Sequence, residues 1–196
     1  MDNEQEQSVD QVILRHATHL FAEKGFDATS VQDIVDASSL TKGALYYYYD
    51  SKEELLFKIH ERFITYELRQ AEDILARNLP PAVALKELMI GLVESIALFQ
   101  PEVTVFFREM HRLSPDKFRA IKAVRDRYHQ FFQRVISDGQ TTVAFRADVA
   151  GPLQTLAVFG LCNWVYTWYR RDGQLSPREV GSQMADLLLE GMLAKA

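Results

Sequence analysis

An all-α fold is predicted for this 196-residue chain, and three observations predict it. Apolar residues recur at helical spacing along most of the sequence, and no sustained alternating stretch competes apart from the ambiguous Thr141–Phe145. All six prolines, at positions 80, 81, 101, 115, 152 and 177, fall where such a pattern stops or starts. About nine helices follow from this punctuation.

Taken in order, Ser8-x-x-Gln11 can cap a first helix whose apolar face is Val12, Leu14, Ala17, Leu20 and Phe21, ending at Gly25. Thr29 or Ser30 caps a second, with Val31, Ile34, Val35 and Ala37 inward. After a Ser38-Ser39-Leu40 turn, Thr41 opens a short third helix, Lys42–Tyr48, and Ser51-x-x-Glu54 opens a long fourth, over about residues 52–78. Leu85, Leu88, Leu92, Ile96 and Phe99 mark the next. Gln100-Pro101 and Ser114-Pro115 start two more, the second carrying Phe118, Ile121, Val124, Tyr128, Phe131 and Val135. Ser176-Pro177-Arg178-Glu179 begins the last, with Val180, Met184, Leu187 and Leu188. Gly25, Gly139 and Gly173 stand where left-handed helix caps are expected.

At 47% hydrophobic and 25% charged residues, the composition is that of an ordinary globular protein. A single cysteine, Cys162, excludes an intrachain disulfide, and the acidic, polar opening carries no leader pattern, so a cytoplasmic protein is expected. Net charge is −5, and the first 60 residues hold eleven acids against five bases. That excludes a broadly cationic coat for nucleic acid; any DNA binding must be local and geometric. Val149–Tyr169 is uncharged over 21 residues, but Gly151, Pro152, Gln154, Thr155, Asn163 and Thr167 dilute it. It reads as a helix buried in the fold or in a subunit interface, with no membrane partner expected.

Two short helices joined by a tight turn, over residues 31–48, form a helix-turn-helix, whose second helix lies in the DNA major groove. Thr41, Lys42, Gly43 and Ala44 are small or cationic and let the backbone approach DNA. Tyr46, Tyr47 and Tyr48 offer hydroxyls to phosphates and flat faces to thymine methyls. Consecutive helical residues point ~100° apart, so the four tyrosines at 46–49 cannot all be core. Leu45 and Tyr49 are expected inward, Tyr47 and Tyr48 outward and Tyr46 between. Helix starts at Thr29-Ser30 and Ser51-Lys52 can clamp phosphates on either side.

Leu20-Phe21-Ala22-Glu23-Lys24-Gly25-Phe26-x-Ala28-Thr29-Ser30-Val31-x-x-Ile34, followed by Lys42-Gly43-Ala44-Leu45-Tyr46-x-Tyr48-Tyr49-x-Ser51-Lys52-Glu53-Glu54-Leu55, resembles the TetR family of bacterial transcriptional regulators. The resemblance implies a homodimeric repressor of a double-stranded, palindromic DNA operator, released by a small molecule. It assigns DNA contacts to Thr29, Ser30, Thr41, Lys42, Gly43, Ala44, Tyr46, Tyr47 and Lys52. It also divides the chain into a DNA-binding domain at residues 8–68 and a ligand-binding and dimerisation domain at 69–196. Three departures stand out. Ser39 takes a turn position usually held by glycine, and Tyr49 replaces the usual phenylalanine. Asp2, Glu4, Glu6 and Asp10 stand where a basic arm is common, which predicts a modest salt dependence of DNA binding.

The remaining two thirds carry no catalytic constellation: no Gly-x-Ser-x-Gly elbow, Walker loop, His-Glu-x-x-His or paired cysteines. No enzyme activity, metal or cofactor is expected. His16 and His19 share a helix face but read as surface or core. The aromatic excess reads mainly as core and dimer seam, with Gly160, Gly181, Ala185 and Gly191 letting the last two helices approach a partner's copies. Trp164 and Trp168 belong either to that seam or to a pocket. Asn163-Trp164-Val165-Tyr166-x-Trp168-Tyr169-Arg170-x-Asp172-Gly173 is similar to a TetR subgroup that senses acyl-CoA thioesters, although Arg171 stands where that subgroup often has proline. An acyl chain needs an apolar tunnel and its CoA phosphates a cationic mouth. Lys117, Arg119, Lys122, Arg125, Arg127 and Arg134, with Arg108 and Arg112 ahead of them, supply either that mouth or a solvated basic face. Candidate effector contacts are Phe106, Phe107, Arg108, Met110, Tyr128, Phe131, Asn163, Trp164 and Trp168. The alternatives are a regulator of a drug-like hydrophobic compound and a helical lipid carrier that never touches DNA.

Overall fold

The computed structural model describes residues 8–194; Asp2, Glu4 and Glu6 lie outside the described residues. Among these, the helices are α1 (Val9–Lys24), α2 (Val31–Ser38), α3 (Lys42–Tyr48), α4 (Lys52–Ala76), α5 (Pro81–Leu98), α6 (Gln100–Glu109), α7 (Pro115–Thr141), α8 (Gly151–Asn163), α9 (Val165–Trp168) and α10 (Pro177–Met192). A 3-10 turn, Met110–Arg112, follows α6. The four-residue α9 follows α8 after Trp164; counted with it, the helices number nine, in an all-α fold. No helix among the described residues is long and apolar enough to cross a membrane.

Local chemistry sets most boundaries. Ser30 and Asp33 form a reciprocal capping box at α2, and Ser176 and Glu179 form one at α10. Thr41 Oγ1 accepts the Ala44 N–H at the start of α3, and Ser51 Oγ accepts that of Glu54 at α4. Ser8, by contrast, makes no side-chain cap. Gly25 caps α1 with a positive φ of +86° but with ψ 161°, outside the left-handed helical region, and Gly173 and Gly139, expected as left-handed caps, have no positive φ. Gly139 lies inside α7, where a Cβ would stand 2.1 Å from the Phe145 ring. Phe145 itself belongs to the stretch that had looked strand-like, and pairs with Leu193 in an isolated antiparallel bridge.

The chain forms two compact units. The first runs through Phe63 and adds Pro101–Ile121; the second comprises Ile64–Gln100 and Lys122 onward. A cut between residues 68 and 69 leaves Pro101–Ile121 out of the first unit. In that unit α1, α2 and α3 pack on one another around Ile13, Ala17, Phe21, Ile34 and Leu45, with Leu55, Leu56 and Ile59 of α4 also buried. Ala37, expected inward, is exposed. In the second unit α10 runs along α5, with α8 and α9 against α5. Its core holds Leu85, Leu88, Val93, Phe132, Ile136, Val158 and Ala185.

Candidate nucleic-acid interface and apolar cleft

The seven residues of α3 hold a single buried side chain, Leu45. Tyr49 ends the helix in extended conformation and is buried; its hydroxyl donates to the Asp10 carbonyl at 3.2 Å. Burial, helped by the Asp10 charge, pushes that phenol up to about 12. With these two residues inward, helical rotation leaves Tyr46, Tyr47 and Tyr48 at 50%, 81% and 45% exposure. Tyr46 is thus fully part of the outward face rather than intermediate. The Tyr47 and Tyr48 rings meet edge-on at 5.0 Å. Thr41, Lys42 and Gly43 are exposed beside them and Ala44 is half-buried. Ahead of this helix Ser39 adopts φ 55°, ψ 29°, the left-handed conformation that glycine would take without strain.

The flanking clamps look different from the sequence expectation. Ser30 is exposed, but its hydroxyl and N–H are engaged with Asp33, whose carboxyl they hold below its ordinary range. Thr29 is fully buried, and its hydroxyl lies 2.8 Å from the Gly25 carbonyl and 3.3 Å from that of Leu20. Its side chain therefore builds the loop and is out of reach of a phosphate. Lys52 donates to the carbonyls of Phe26 (2.6 Å) and Thr29 (2.8 Å), with its ammonium 4.1 Å from the Phe26 ring centroid. It fastens the α1–α2 loop to the start of α4 and is already engaged by protein.

Contacts from Pro101–Ile121 brace this head: those of Glu109 and Ser114 were missed in the sequence, and Arg108, Arg112 and Lys117 were read there as a possible cationic mouth. Phe26 N–H donates to Glu109 Oε1 (3.2 Å), Arg108 donates to the Ala22 carbonyl (3.4 Å) and Arg112 pairs with Asp27 (2.5 Å). Ser114 N–H donates to Glu53 Oε1 at 2.7 Å, holding that carboxyl below its usual range, and Lys117 pairs with Glu54 at 2.8 Å. The cations expected to form a phosphate-binding mouth are committed in the same way. Arg119 pairs with Asp116, Lys122 with Asp126, Arg127 with Glu72 and Arg134 with Asp138. This favours the solvated, charge-paired face over a cationic field.

The proposed effector contacts do not converge on one cavity. Phe106 and Met110 are buried, Phe107 and Arg108 are exposed, and all four belong to the first unit. Tyr128 is buried, Phe131 and Asn163 half-buried, and Trp164 and Trp168 exposed, in the second. Of these, Trp168 lines a cleft of about 530 Å³ with Tyr169, Arg170, Leu175, Val180, Met184 and Leu187. An outward apolar row also lies on the second unit. Leu153 and Leu156 are exposed along α8, Trp164 just after its end, and Leu187 on α10. A Cβ at Gly160 or Gly191 would meet nothing within 4 Å, whereas one at Gly181 would strike Ile90 of α5 at 2.9 Å. Gly181 and the buried Ala185 therefore serve packing within the chain.

Two buried polar groups escaped the sequence reading. Glu67 on α4 lies 2.9 Å from Ser95 Oγ, and burial raises its carboxyl to about 8. His60, also on α4, is fully buried, and burial lowers its imidazole to about 4. Burial likewise pushes the Cys162 thiol up to about 12, which leaves it inert at neutral pH. Among the described residues no cluster of His, Cys, Asp and Glu could hold a metal ion.

Comparison with known proteins agrees with this architecture along nearly the whole chain. Residues 13–59 match the profile of bacterial regulatory proteins of the tetR family, and residues 78–192 match the tetracyclin repressor-like C-terminal domain. The HTH-type transcriptional repressor KstR2 of Mycobacterium tuberculosis is 29% identical over 182 residues, covering 92% of this chain and 90% of that one. The solved structure of this ketosteroid transcriptional regulator superimposes with a TM-score of 0.91 at 27% identity, over 97% of this chain and 98% of that one. PfmR of Thermus thermophilus gives a TM-score of 0.84 at 32% identity, over 91% and 97%. AibR, solved with isovaleryl coenzyme A and operator DNA, shares the fold with a TM-score of 0.83 at 24% identity, over 93% and 98%. With a helix-turn-helix whose second helix turns three tyrosines outward, and with both halves matched, the chain belongs to the TetR family of bacterial transcriptional regulators.

Proposed function

We propose that the protein is a homodimeric transcriptional repressor that reads a palindromic operator with α3 and is released from it by a small hydrophobic effector. The observation that carries the DNA-reading part is the outward face of α3. Large aromatic side chains this exposed, in a row beside Lys42 on a helix with one buried anchor, have no role in the fold that carries them. Tyr46, Tyr47, Lys42, Thr41 and Gly43 are the residues assigned to base edges and phosphates, with Ser30 and Ala44 beside them. Thr29 and Lys52 act by shaping the loop that presents Ser30. The homodimer is supported by the apolar row of Leu153, Leu156, Trp164 and Leu187 with Gly160 and Gly191 open beside it. Two heads held by one seam match half-sites one helical turn apart, ~34 Å, or a multiple of it. The effector moves an equilibrium between spacings that fit the operator and spacings that do not.

An acyl-CoA thioester is the first effector class to test. The cleft beside Trp168 is mostly apolar, Arg170, paired with Asp172, is among the residues that line it, and AibR, of the same fold, holds a CoA thioester. A second reading, an uncharged hydrophobic effector, is favoured by the carboxylate-paired cations of α7, which leave little field for CoA phosphates. Selection from random duplexes tests the DNA reading: a two-fold symmetric site is expected, and a chain that selects none is a carrier. Titrating the operator complex with butanoyl-CoA, decanoyl-CoA, decanoic acid and an uncharged polycyclic ketone then separates the effector classes. Leu156→Glu should turn the dimer into a monomer by size-exclusion chromatography; an unchanged dimer would place the seam elsewhere.

A further inference from the structure

His60 lies on the inner side of α4 in the first unit, and neither its Nδ1 nor its Nε2 has a hydrogen-bond partner. A neutral imidazole carries one donor and one acceptor, and a buried polar group without a partner weakens the fold that contains it. The surroundings are aromatic. The Phe106 ring lies 5.2 Å away and tilted, and Phe63 and Phe107 each meet Phe106 edge-on at 5.6 Å. Phe107 is exposed, so the row His60, Phe106, Phe107 leads from an unsatisfied polar group to the surface. Burial alone, with no neighbouring charge, lowers the imidazole, so the ring is neutral at physiological pH.

We propose that His60 is the polar anchor of a small-molecule site in the first unit, taking a ketone or hydroxyl oxygen carried on an apolar ring system once Phe106 swings aside. This rests on the reading above that the chain answers to a hydrophobic effector. A ketone accepts from the imidazole N–H, and a hydroxyl can also donate to its other nitrogen. A carboxylate or phosphate would find no counter-charge among these rings. The site is placed to act on the reading head. His60 follows Lys52 by two helical turns, ~12 Å along α4, and Lys52 holds the Phe26 and Thr29 carbonyls ahead of α2.

The test uses three bicyclic probes of one size: decalone, decalol and decalin. Calorimetry on the wild-type protein should show at least one oxygenated probe binding ~tenfold more tightly than the hydrocarbon, the worth of one net hydrogen bond. In protein with isotope-labelled histidine, the His60 nitrogen resonances should move by several ppm only with that probe. His60→Leu should melt higher than wild type without ligand, keep its operator affinity and bind all three probes alike. The proposal is overturned if decalin binds wild type as well as the others, if no probe binds, or if H60L keeps the preference. It is also overturned if the His60 nitrogens are already hydrogen-bonded in ligand-free protein, the signature of a buried water. The resonance measurement needs no variant and stands if H60L fails to fold. Failure of the wild-type chain to select an operator would refute the regulator reading separately, leaving the probe results intact.

Discussion

Glu67→Gln should make the protein more stable at neutral pH, although it removes a buried hydrogen-bonded acid. Ser95 Oγ lies 2.9 Å from Glu67 Oε1 and 3.0 Å from the Leu92 carbonyl, yet a hydroxyl has one proton. Both contacts are satisfied when Glu67 is protonated and donates to Ser95 Oγ while Ser95 donates to Leu92. In the fold the carboxyl keeps its proton up to about 8, against 4.5 for an unburied glutamate. From 4.5 to 8 the unfolded chain gives up a proton that the fold retains, so stability is greatest below this window and falls as pH rises through it. At ~1.4 kcal/mol per pH unit, the penalty at pH 7 is about 3 kcal/mol. Glutamine keeps the donor to Ser95 and has no proton to lose. The expected gain is about 2–3 kcal/mol at pH 7, or roughly 5–10 °C in Tm, shrinking towards zero near pH 4. His60 works in the opposite sense: it resists protonation down to about 4, so its contribution is lost as pH falls from 6.5 to that value. Between roughly pH 4.5 and 6.5 these two groups therefore offset one another, and above that range Glu67 makes wild-type stability decline towards pH 8. Thermal and urea denaturation across that range provide the measurement. An E67Q protein that is less stable than wild type at pH 8, or that keeps the same decline, would refute the protonated pair.

Lys42→Ala and Tyr47→Ala should each abolish specific operator binding in a gel-shift assay while circular dichroism and elution volume stay unchanged; loss of folding would show these side chains to be structural. Ser39→Gly should stabilise the protein by about 0.5–1 kcal/mol in urea denaturation, because the residue sits at φ 55°. A neutral or destabilising result would mean that the serine conformation is not strained. Gly139→Ala should destabilise by about 2–4 kcal/mol or displace Phe145, since the added carbon would stand 2.1 Å from its ring; an unaltered Tm would contradict that packing.

What could be read in the sequence was whatever neighbours along the chain decide. Thr41 and Ala44, or Ser176 and Glu179, are three residues apart, and the limits they set for α3 and the start of α10 are those observed. Leu45 and Tyr49 inward with Tyr47 and Tyr48 outward follows from helical rotation. The roles of Thr29 and Lys52 depend on loop carbonyls, 23 and 26 residues away for Lys52, and no periodicity announces them. Glu109 reaches Phe26 across 83 residues. Gly139 carried a true local signal for a cap, overridden by the space the Phe145 ring requires. The pairs Lys122–Asp126 and Arg134–Asp138, each four residues apart, were legible, but counting cations without their acidic neighbours hid them. Buried, isolated polar groups such as His60 and Glu67 look like any other helical residue until tertiary packing closes over them.

The single buried anchor of α3 has a consequence for how such a protein changes over generations. Leu45 and the flanking Thr41 and Tyr49 keep the helix in place, so substitutions at positions 42, 43, 46, 47 and 48 leave folding almost untouched. With α3 reading the operator as proposed, recognition can therefore drift from one target to another through intermediates that all remain viable, and duplicated copies are free to diverge in which genes they govern before anything else about them has altered.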